Sequence, residues 1–266
     1  MHQVQRHQAI LKAIAEHHVV TVTNLTNFLG VSEATVRRDI REMAEGKLLR
    51  KIHGGAEALD QAAQVSLSTQ PFESTVAVNS EQKRAIASTA AQMCHDGESI
   101  MIGGGTTTQK MVEYLLNRRI TVLTNSLVVA IPLIEKGCGR VILAGGEAYR
   151  AHNVVLSPFD HDSFENHRVS KLFIGAMCIG LCGVLEGDPL LVRVGQRMIN
   201  QAEQVILLVD SSKFHRMDGT ILCPLERVTR IVTDDGIDEQ TLRMFEQAGV
   251  PVTVAVAAPS AANPAA

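Results

Sequence analysis

Val31-Ser32-Glu33-Ala34-Thr35-Val36-Arg37-Arg38-Asp39-Ile40 is the stretch on which the reading of this chain turns. Gly30 breaks the pattern just before it, Ser32 stands where a helix N-cap belongs, and Val36, Ile40 and Met43 recur at helical spacing to about Glu45, where Gly46 closes the run. Upstream, Val22, Leu25, Phe28 and Leu29 mark a preceding helix, and Val4, Ile10, Leu11 and Ile14 an earlier one that stops at His17-His18. Downstream, the segment from Lys47 to Ala58 alternates basic and apolar residues around Gly54-Gly55, which predicts a small β-hairpin. Helix, glycine turn, helix and hairpin describe a winged helix-turn-helix, the geometry that lays its second helix in the major groove of DNA. Ser32 and Thr35 offer hydroxyls to phosphate or base edges from that helix's first turn, and Arg37 and Arg38 offer guanidinium groups to phosphate or to guanine. Lys47, Arg50, Lys51 and His53 add positive charge along the hairpin, so double-stranded DNA is the expected partner of this end.

Charge agrees with that assignment only when it is read by position. The 266 residues carry a formal net charge of −3, which evenly spread would speak against nucleic acid. Residues 1–59 hold eight Lys and Arg against six Asp and Glu, and the remainder seventeen against twenty-two. The hydrophobic share of 45% and charged share of 20% are those of an ordinary folded protein, which excludes a disordered chain. Cys94, Cys138, Cys178, Cys182 and Cys223 are odd in number and lack the close pairing of a zinc site, so buried reduced thiols are expected. Asp160, His161, Asp162 and His167 lie close together, but their spacing matches no standard metal site and reads as a polar surface loop. No metal and no cofactor is expected. A basic segment followed by an apolar run is absent at the N-terminus, and no stretch reaches the length of a membrane span, which points to a cytoplasmic protein without a membrane partner.

Beyond residue 58 the pattern changes twice. Between Leu59 and Ser80 the chain turns small and polar, with Gln61, Gln64, Ser66, Ser68 and Pro71, and reads as a linker. From Glu81 a helix near 81–94 is followed by apolar runs at Ser99–Ile102, Ile120–Thr124, Val141–Ala144, Leu172–Ile174, Val205–Val209 and Ile231–Val232, separated by helical segments. That alternation predicts an α/β domain with a largely parallel sheet covered by helices on both faces. The expected organisation is a DNA-binding domain at 1–58, a linker at 59–80, a larger α/β domain at 81–256 and a disordered Ala- and Pro-rich tail at 257–266.

The larger domain carries a second set of candidate residues. The run at Ser99–Ile102 leads into Gly103-Gly104-Gly105-Thr106-Thr107-Thr108 and then into a helical pattern through Met111, Leu115 and Leu116. Such a turn lets backbone N–H groups, threonine hydroxyls and the positive end of a helix meet an anion, and a phosphate fits it. It is neither a dinucleotide fingerprint nor a nucleoside-triphosphate loop, because both spacings are missing. Further loops follow the other strand ends: Thr124-Asn125-Ser126, Gly145-Gly146-Glu147, Gly175 to Gly180, Glu186-Gly187-Asp188 and Asp210-Ser211-Ser212-Lys213-Phe214. Open α/β sheets gather ligands where strands deliver their carboxyl ends, so these loops should converge. Lys213 is then the cation for a phosphate, while Asn125, Glu186 and Asp188 are the partners of hydroxyls.

The opening stretch, continued by Leu48-Leu49-Arg50-Lys51-Ile52-His53-Gly54-Gly55-Ala56, resembles the signature of the DeoR/GlpR-type repressors. Glu81-Gln82-Lys83, Gly104-Gly105-Thr106-Thr107, Thr124-Asn125-Ser126, Gly145-Gly146 and Asp210-Ser211-Ser212-Lys213-Phe214 extend the resemblance from about residue 6 to residue 254. It implies that Ser32, Thr35, Arg37 and Arg38 lie on a recognition helix and that His53 to Ala56 close the wing. It also implies a C-terminal fold akin to ribose-5-phosphate isomerase that binds a phosphorylated sugar or sugar acid; the residues expected to hold it, from the loops above, are Gly103 to Thr107, Asn125, Ser126, Gly146, Glu186, Asp188 and Lys213. Where many members of the family have a Gly-Pro segment, this chain has Asn153-Val154-Val155-Leu156-Ser157-Pro158-Phe159, which resembles the ascorbate-utilisation repressor branch. The expected role is therefore that of a non-enzymatic repressor, active as a dimer or tetramer because one recognition helix reads few bases. The competing class is a sugar-phosphate isomerase-like enzyme, for which a DNA-binding unit has no use.

Overall fold

The computed structural model describes residues 6–7, 9–11, 13, 19–45, 49–52, 54–57, 72–137, 139–158, 163–215 and 218–256. The expected tail, the wing residues Lys47 and His53, most of the expected linker, Cys138 and the loop at 160–162 lie outside them. The chain divides into two compact units, Met1–Ser66 and Leu67–Ala266.

In the first unit, β1 (Val19–Thr21) leads into α1 (Val22–Leu29), which is followed by α2 (Glu33–Glu45), β2 (Arg50–Ile52) and β3 (Gly55–Glu57). The Thr21 hydroxyl accepts from the Asn24 N–H and starts α1, and Gly30, at φ 64°, ends it in the left-handed conformation that glycine adopts without strain. The three strands pair antiparallel in the order β1-β3-β2, so the expected wing hairpin is present and gains a third strand. That approach needs Gly55, where a Cβ would lie 2.1 Å from the Val20 carbonyl oxygen. Ile10, Val20, Leu25, Leu29, Val36, Ile40, Met43, Leu49 and Ala56 form the core. Phe28 departs from the expected apolar face of α1 and is exposed. Val22, Leu25 and Leu29 already share one stripe of the helix, and at about 100° per residue Phe28 falls well to its side.

The second unit is built on a seven-stranded parallel sheet. Its strands are β4 (Ser99–Ile102), β5 (Thr121–Thr124), β6 (Arg140–Leu143), β9 (Val169–Ile174), β12 (Ala202–Leu208), β14 (Arg230–Asp234) and β15 (Val252–Ala255), in the order β15-β14-β12-β9-β4-β5-β6. Six of them follow the expected apolar runs, and β15 is added at the edge. Alternate residues point to opposite faces, and the central strands are dry on both, while the edge strands β6 and β15 are partly exposed. Met101, Leu172, Ile174, Val205 and Leu207 enter one core, packed under α8 (Pro189–Gln201). Ile100, Ile102, Phe173, Ile206 and Leu208 enter the other, beneath α4 (Ser80–Ala91) and α7 (Leu127–Lys136). α9 (Glu239–Gln247) precedes β15. Within the stretch expected as linker, Phe72–Val76 forms a short helix, α3, with Phe72 buried.

Two small sheets decorate this scaffold. β7 (Glu147–Tyr149) and β8 (Val154–Leu156) form a hairpin, and β10 (Cys178–Gly180), β11 (Gly183–Glu186) and β13 (Thr220–Cys223) a second antiparallel sheet. Cys94, Cys178 and Cys223 are buried as expected, and burial pushes the Cys94 and Cys223 thiols up to about 12 and about 11. Cys182 corrects the expectation, because it lies exposed at the tip of the β10–β11 hairpin.

Candidate functional site

Two groups of residues stand out, one in each unit. In the first, α2 opens at Ser32, whose hydroxyl accepts from the Thr35 N–H at 3.3 Å and lies 3.0 Å from the Thr35 hydroxyl. Val36, Asp39, Ile40 and Met43 face inward, leaving Glu33, Ala34, Arg37, Arg38 and Arg41 on the solvent face. Arg37 makes only a long 3.4 Å contact with Glu33 one turn earlier, with both side chains more than half exposed. Such a pair is weak and leaves the guanidinium available to another anion. Arg41 was missed in the sequence, although its i+4 spacing from Arg37 places it on the same face. Lys51 is exposed on β2.

This helix is fixed from behind. Asp39 is fully buried and accepts from Arg6 Nε at 2.7 Å and from Arg6 Nη2 at 3.0 Å, a two-pronged charge-assisted bond, with His7 Nε2 3.4 Å away. Burial alone raises the Asp39 carboxyl, but the Arg6 bonds more than offset it and hold the carboxyl below the usual range. An aspartate next to the exposed arginines is thus an anchor rather than a third contact.

In the second unit, the sequence order of the strands reverses between β4 and β9. The chain runs outward from β4 through β5 to β6, then returns to β9 on the other side of β4. A crevice opens at the carboxyl ends of two strands whose connections diverge in this way. Gly103 and Gly104 stand there: the Gly103 N–H donates to the Phe173 carbonyl at 2.9 Å, and a Cβ at Gly103 would lie 3.2 Å from Ile174 Cγ1. At Gly104 a Cβ would lie 2.5 Å from Val154 Cγ1 on β8. Gly105, at φ 153°, turns the chain into α5 (Thr106–Lys110), and its carbonyl accepts from the Thr108 hydroxyl and the Gln109 N–H. Thr107 is buried at the start of that helix.

Asn125 and Ser126 follow the neighbouring strand β5. The Val155 N–H donates to the Asn125 carbonyl at 2.7 Å, Asn125 Nδ2 donates to the Val155 carbonyl, and the Leu127 N–H donates to the Asn153 carbonyl at 2.9 Å. These bonds clasp the β7–β8 hairpin onto the crevice. Gly146 sits at the open end of that hairpin, where a Cβ would lie 2.2 Å from the Leu156 carbonyl oxygen, so its lack of a side chain serves the backbone. Asp188 caps α8 through the Leu190 N–H and accepts from the Tyr149 hydroxyl at 2.7 Å. Burial pushes the Glu186 carboxyl up, and the charge of Asp188 adds to that while Lys213 and the Gly187 N–H oppose it.

Lys213 is half-buried beyond β12, in electrostatic reach of Glu186 and of Lys83. Lys83 is buried, and its ammonium donates to the Thr75 carbonyl at the end of α3 at 2.8 Å. Burial lowers its pKa, Asp210 raises it, and Lys213 and Lys110 lower it. Asp210 is itself engaged by Asn79 Nδ2 at 3.0 Å and by Ser212. The Lys83 ammonium thus lies in electrostatic reach of one carboxylate, Asp210, and of two further ammonium groups. Lys110 was not singled out in the sequence, and Lys83 and Asp210 entered only within longer motifs without a role of their own, although Lys83 lies three residues before Ile86 on the inward face of α4, a position where a charged residue is unexpected. The candidates Gly104, Asn125, Ser126 and Asp188 are linked through the hairpin, Gly103 is tied to β9, and Glu186 and Lys213 are in electrostatic reach of each other.

Of the expected polar loop at 160–167, His167 is described, and its Nδ1 lies 2.7 Å from the Ser163 carbonyl oxygen. Among the described residues, His7, Asp39 and Glu42 have ligand atoms close enough for a metal, but Arg6 already occupies both Asp39 oxygens. No helix of the described residues is long and apolar enough to cross a membrane.

A helix-turn-helix joined in one chain to an α/β domain with a built crevice is the architecture of a transcriptional regulator with a ligand-responsive half. Residues 6–62 match the DeoR-like helix-turn-helix domain and residues 78–235 the DeoR C terminal sensor domain. The chain belongs to the DeoR family. The HTH-type transcriptional regulator UlaR of Salmonella newport is 30% identical over 95% of this chain and 99% of its own length, and the regulator of the same name from Shigella dysenteriae is 29% identical over the same shares. Among solved structures, ribose 5-phosphate isomerase A of Methanocaldococcus jannaschii aligns at 16% identity and a TM-score of 0.37 over 51% of this chain and 55% of that one. The eIF2B delta of Chaetomium thermophilum aligns at 20% identity and a TM-score of 0.40 over 57% of this chain and 56% of that one.

Proposed function

We propose that this regulator is a cytoplasmic repressor of a carbohydrate-catabolism operon, controlled by a phosphorylated sugar or sugar acid, and that it works as a dimer or larger assembly. The observation that carries the effector is the glycine turn at the strand-order reversal, in the same unit as Lys83, whose ammonium is in electrostatic reach of those of Lys110 and Lys213. A phosphate dianion would be held by charge-assisted bonds from such ammonium groups. In this reading Gly103 to Thr107 and Lys213 hold the phosphate, and Asn125, Ser126, Glu186 and Asp188 face the hydroxyls, with Gly146 shaping the hairpin. The relatives are transcriptional regulators, which supports binding rather than turnover in the C-terminal unit.

Calorimetric titration of a panel of sugar phosphates, ascorbate 6-phosphate included, tests the effector. The phosphorylated form is expected to bind far more tightly than the free sugar, and Lys213→Ala to weaken it roughly ten- to hundredfold, in line with about 1.5–3 kcal/mol for a hydrogen bond to a charged group. Equal affinity for free and phosphorylated sugars rejects the reading.

On DNA, Ser32, Thr35, Arg37 and Arg38 are assigned to the recognition helix and Arg50, Lys51 and His53 to the wing. Gel-shift titrations of Arg37→Ala and Arg38→Ala should separate two roles. Loss of a phosphate contact weakens all sequences alike and reduces the salt slope by about 1, whereas loss of a base contact costs about 1–3 kcal/mol and relaxes the requirement at one position. Wild-type affinity in both variants removes α2 from the interface.

A further inference from the structure

Buried side-chain polar atoms without a hydrogen-bond partner are costly, and each calls for an explanation. Among the described residues, Asn125 Oδ1, Ser126 Oγ and His152 Nε2 are of this kind. All three stand at the junction where the β7–β8 hairpin is clasped onto the β5–α7 loop: Asn125 exchanges bonds with Val155, and His152 immediately precedes Asn153, whose carbonyl receives the Leu127 N–H. Asn125 and Ser126 are 2% and 0% exposed. Val154 of the same hairpin closes on Gly104, so the junction borders the glycine turn.

The neighbours of His152 define its chemistry. Its ring packs against Tyr149 at 5.4 Å between centroids, and the Tyr149 hydroxyl is spent on Asp188 Oδ2. His152 Nε2 lies 3.9 Å from that same oxygen, beyond hydrogen-bond reach. Burial lowers the pKa of the imidazole, against the pull of Asp188, so the ring is neutral near pH 7. Because Asn125 Nδ2 is committed to Val155, its free Oδ1 only accepts, and the Asp188 carboxylate likewise only accepts. Two fixed acceptors beside a serine hydroxyl and a neutral imidazole suit a carbon skeleton with adjacent hydroxyl groups, and oppose a second phosphate at this end.

We propose that His152, with Asn125 and Ser126, forms the subsite that reads the hydroxyl-bearing end of the effector, and that His152 determines which effector is accepted. Tyr149 acts as a positioning residue that holds Asp188 and one face of the imidazole. This rests on the reading that the crevice holds the effector, but not on where the phosphate sits.

The test titrates the full-length protein with inorganic phosphate and with ribose 5-phosphate, fructose 6-phosphate, sorbitol 6-phosphate and ascorbate 6-phosphate, together with the corresponding free sugars. Wild type should prefer one sugar phosphate to inorganic phosphate. His152→Leu should cut that preference about tenfold or more with inorganic phosphate unchanged, Ser126→Ala should do the same, and His152→Gln should restore part of it. Melting curves establish that each variant is folded. Folded His152→Leu and Ser126→Ala proteins with the wild-type preference overturn the proposal, as does a wild type for which no hydroxylated ligand binds better than inorganic phosphate. If free sugars bind as tightly as their phosphates and still depend on His152, the phosphate reading falls and this subsite stands.

Discussion

Asp39→Ala is expected to abolish operator binding while leaving effector binding in the C-terminal unit at its wild-type value. Asp39 is fully buried, and both its oxygens are held by Arg6. Its removal takes away the carboxylate that holds the Arg6 guanidinium in two prongs, and breaking one side of a buried pair is strongly destabilising. The reader helix loses its fixed position before any contact with DNA is touched. Calorimetry should show the loss of the melting transition of the N-terminal unit, and gel shifts should show no complex; a variant that melts and binds as wild type sinks the argument. Acid should act in the same direction. Because the folded carboxyl titrates below its unfolded value, its contribution to stability is complete above the ordinary aspartate range and fades as pH falls through the lower folded value.

Gly104→Ala is expected to weaken effector binding on the order of tenfold to hundredfold. The new methyl would stand 2.5 Å from Val154 Cγ1, and Val154 is itself buried, so β8 must move away from the crevice. Overpacking of this kind costs about 1–3 kcal/mol. Displacement of β8 also strains the bonds between Val155 and Asn125. The pairing with Val154→Ala makes the cause visible: trimming Val154 in the Gly104→Ala background should return much of the affinity, a coupling that distant sites do not show. If the double variant binds no better than Gly104→Ala alone, the methyl acts elsewhere.

The N-terminal unit was readable in the sequence because its signals are local: a serine cap, a glycine turn and a 3.6-residue period all fall within α1 and α2. β1 escaped, since three residues ahead of a helix show no period of their own, and their pairing is decided by Gly55, far along the chain. The parallel sheet was readable because strands dry on both faces appear as unbroken apolar runs. Its edge strand β15 was not, with only Ala255 fully buried. In the crevice, glycine and threonine announced the turn after β4, and Asp188 and Asn125 their loops. Lys83, Tyr149 and His152 did not announce themselves, because nothing local distinguishes a buried lysine or histidine from a solvated one. Gly146 was readable as a special position, but its reason is the Leu156 carbonyl opposite.

The reversal of strand order between β4 and β9 also bears on how the chain reaches its native state. β4 and β9 pair as Ile100 with Lys171 and Ile102 with Phe173, across about seventy residues that include β5, β6 and the hairpin. Non-local parallel pairings of this kind form slowly, since the entropy of closing the intervening loop is spent before any contact rewards it. The crevice is therefore assembled across a seam of high sequence separation, between a half that ends at β6 and a half that begins at β9. A small molecule held across that seam binds only the closed form, and mass action then favours closure. On the proposed function, nascent or heat-stressed chains would complete this domain most readily when the effector is plentiful.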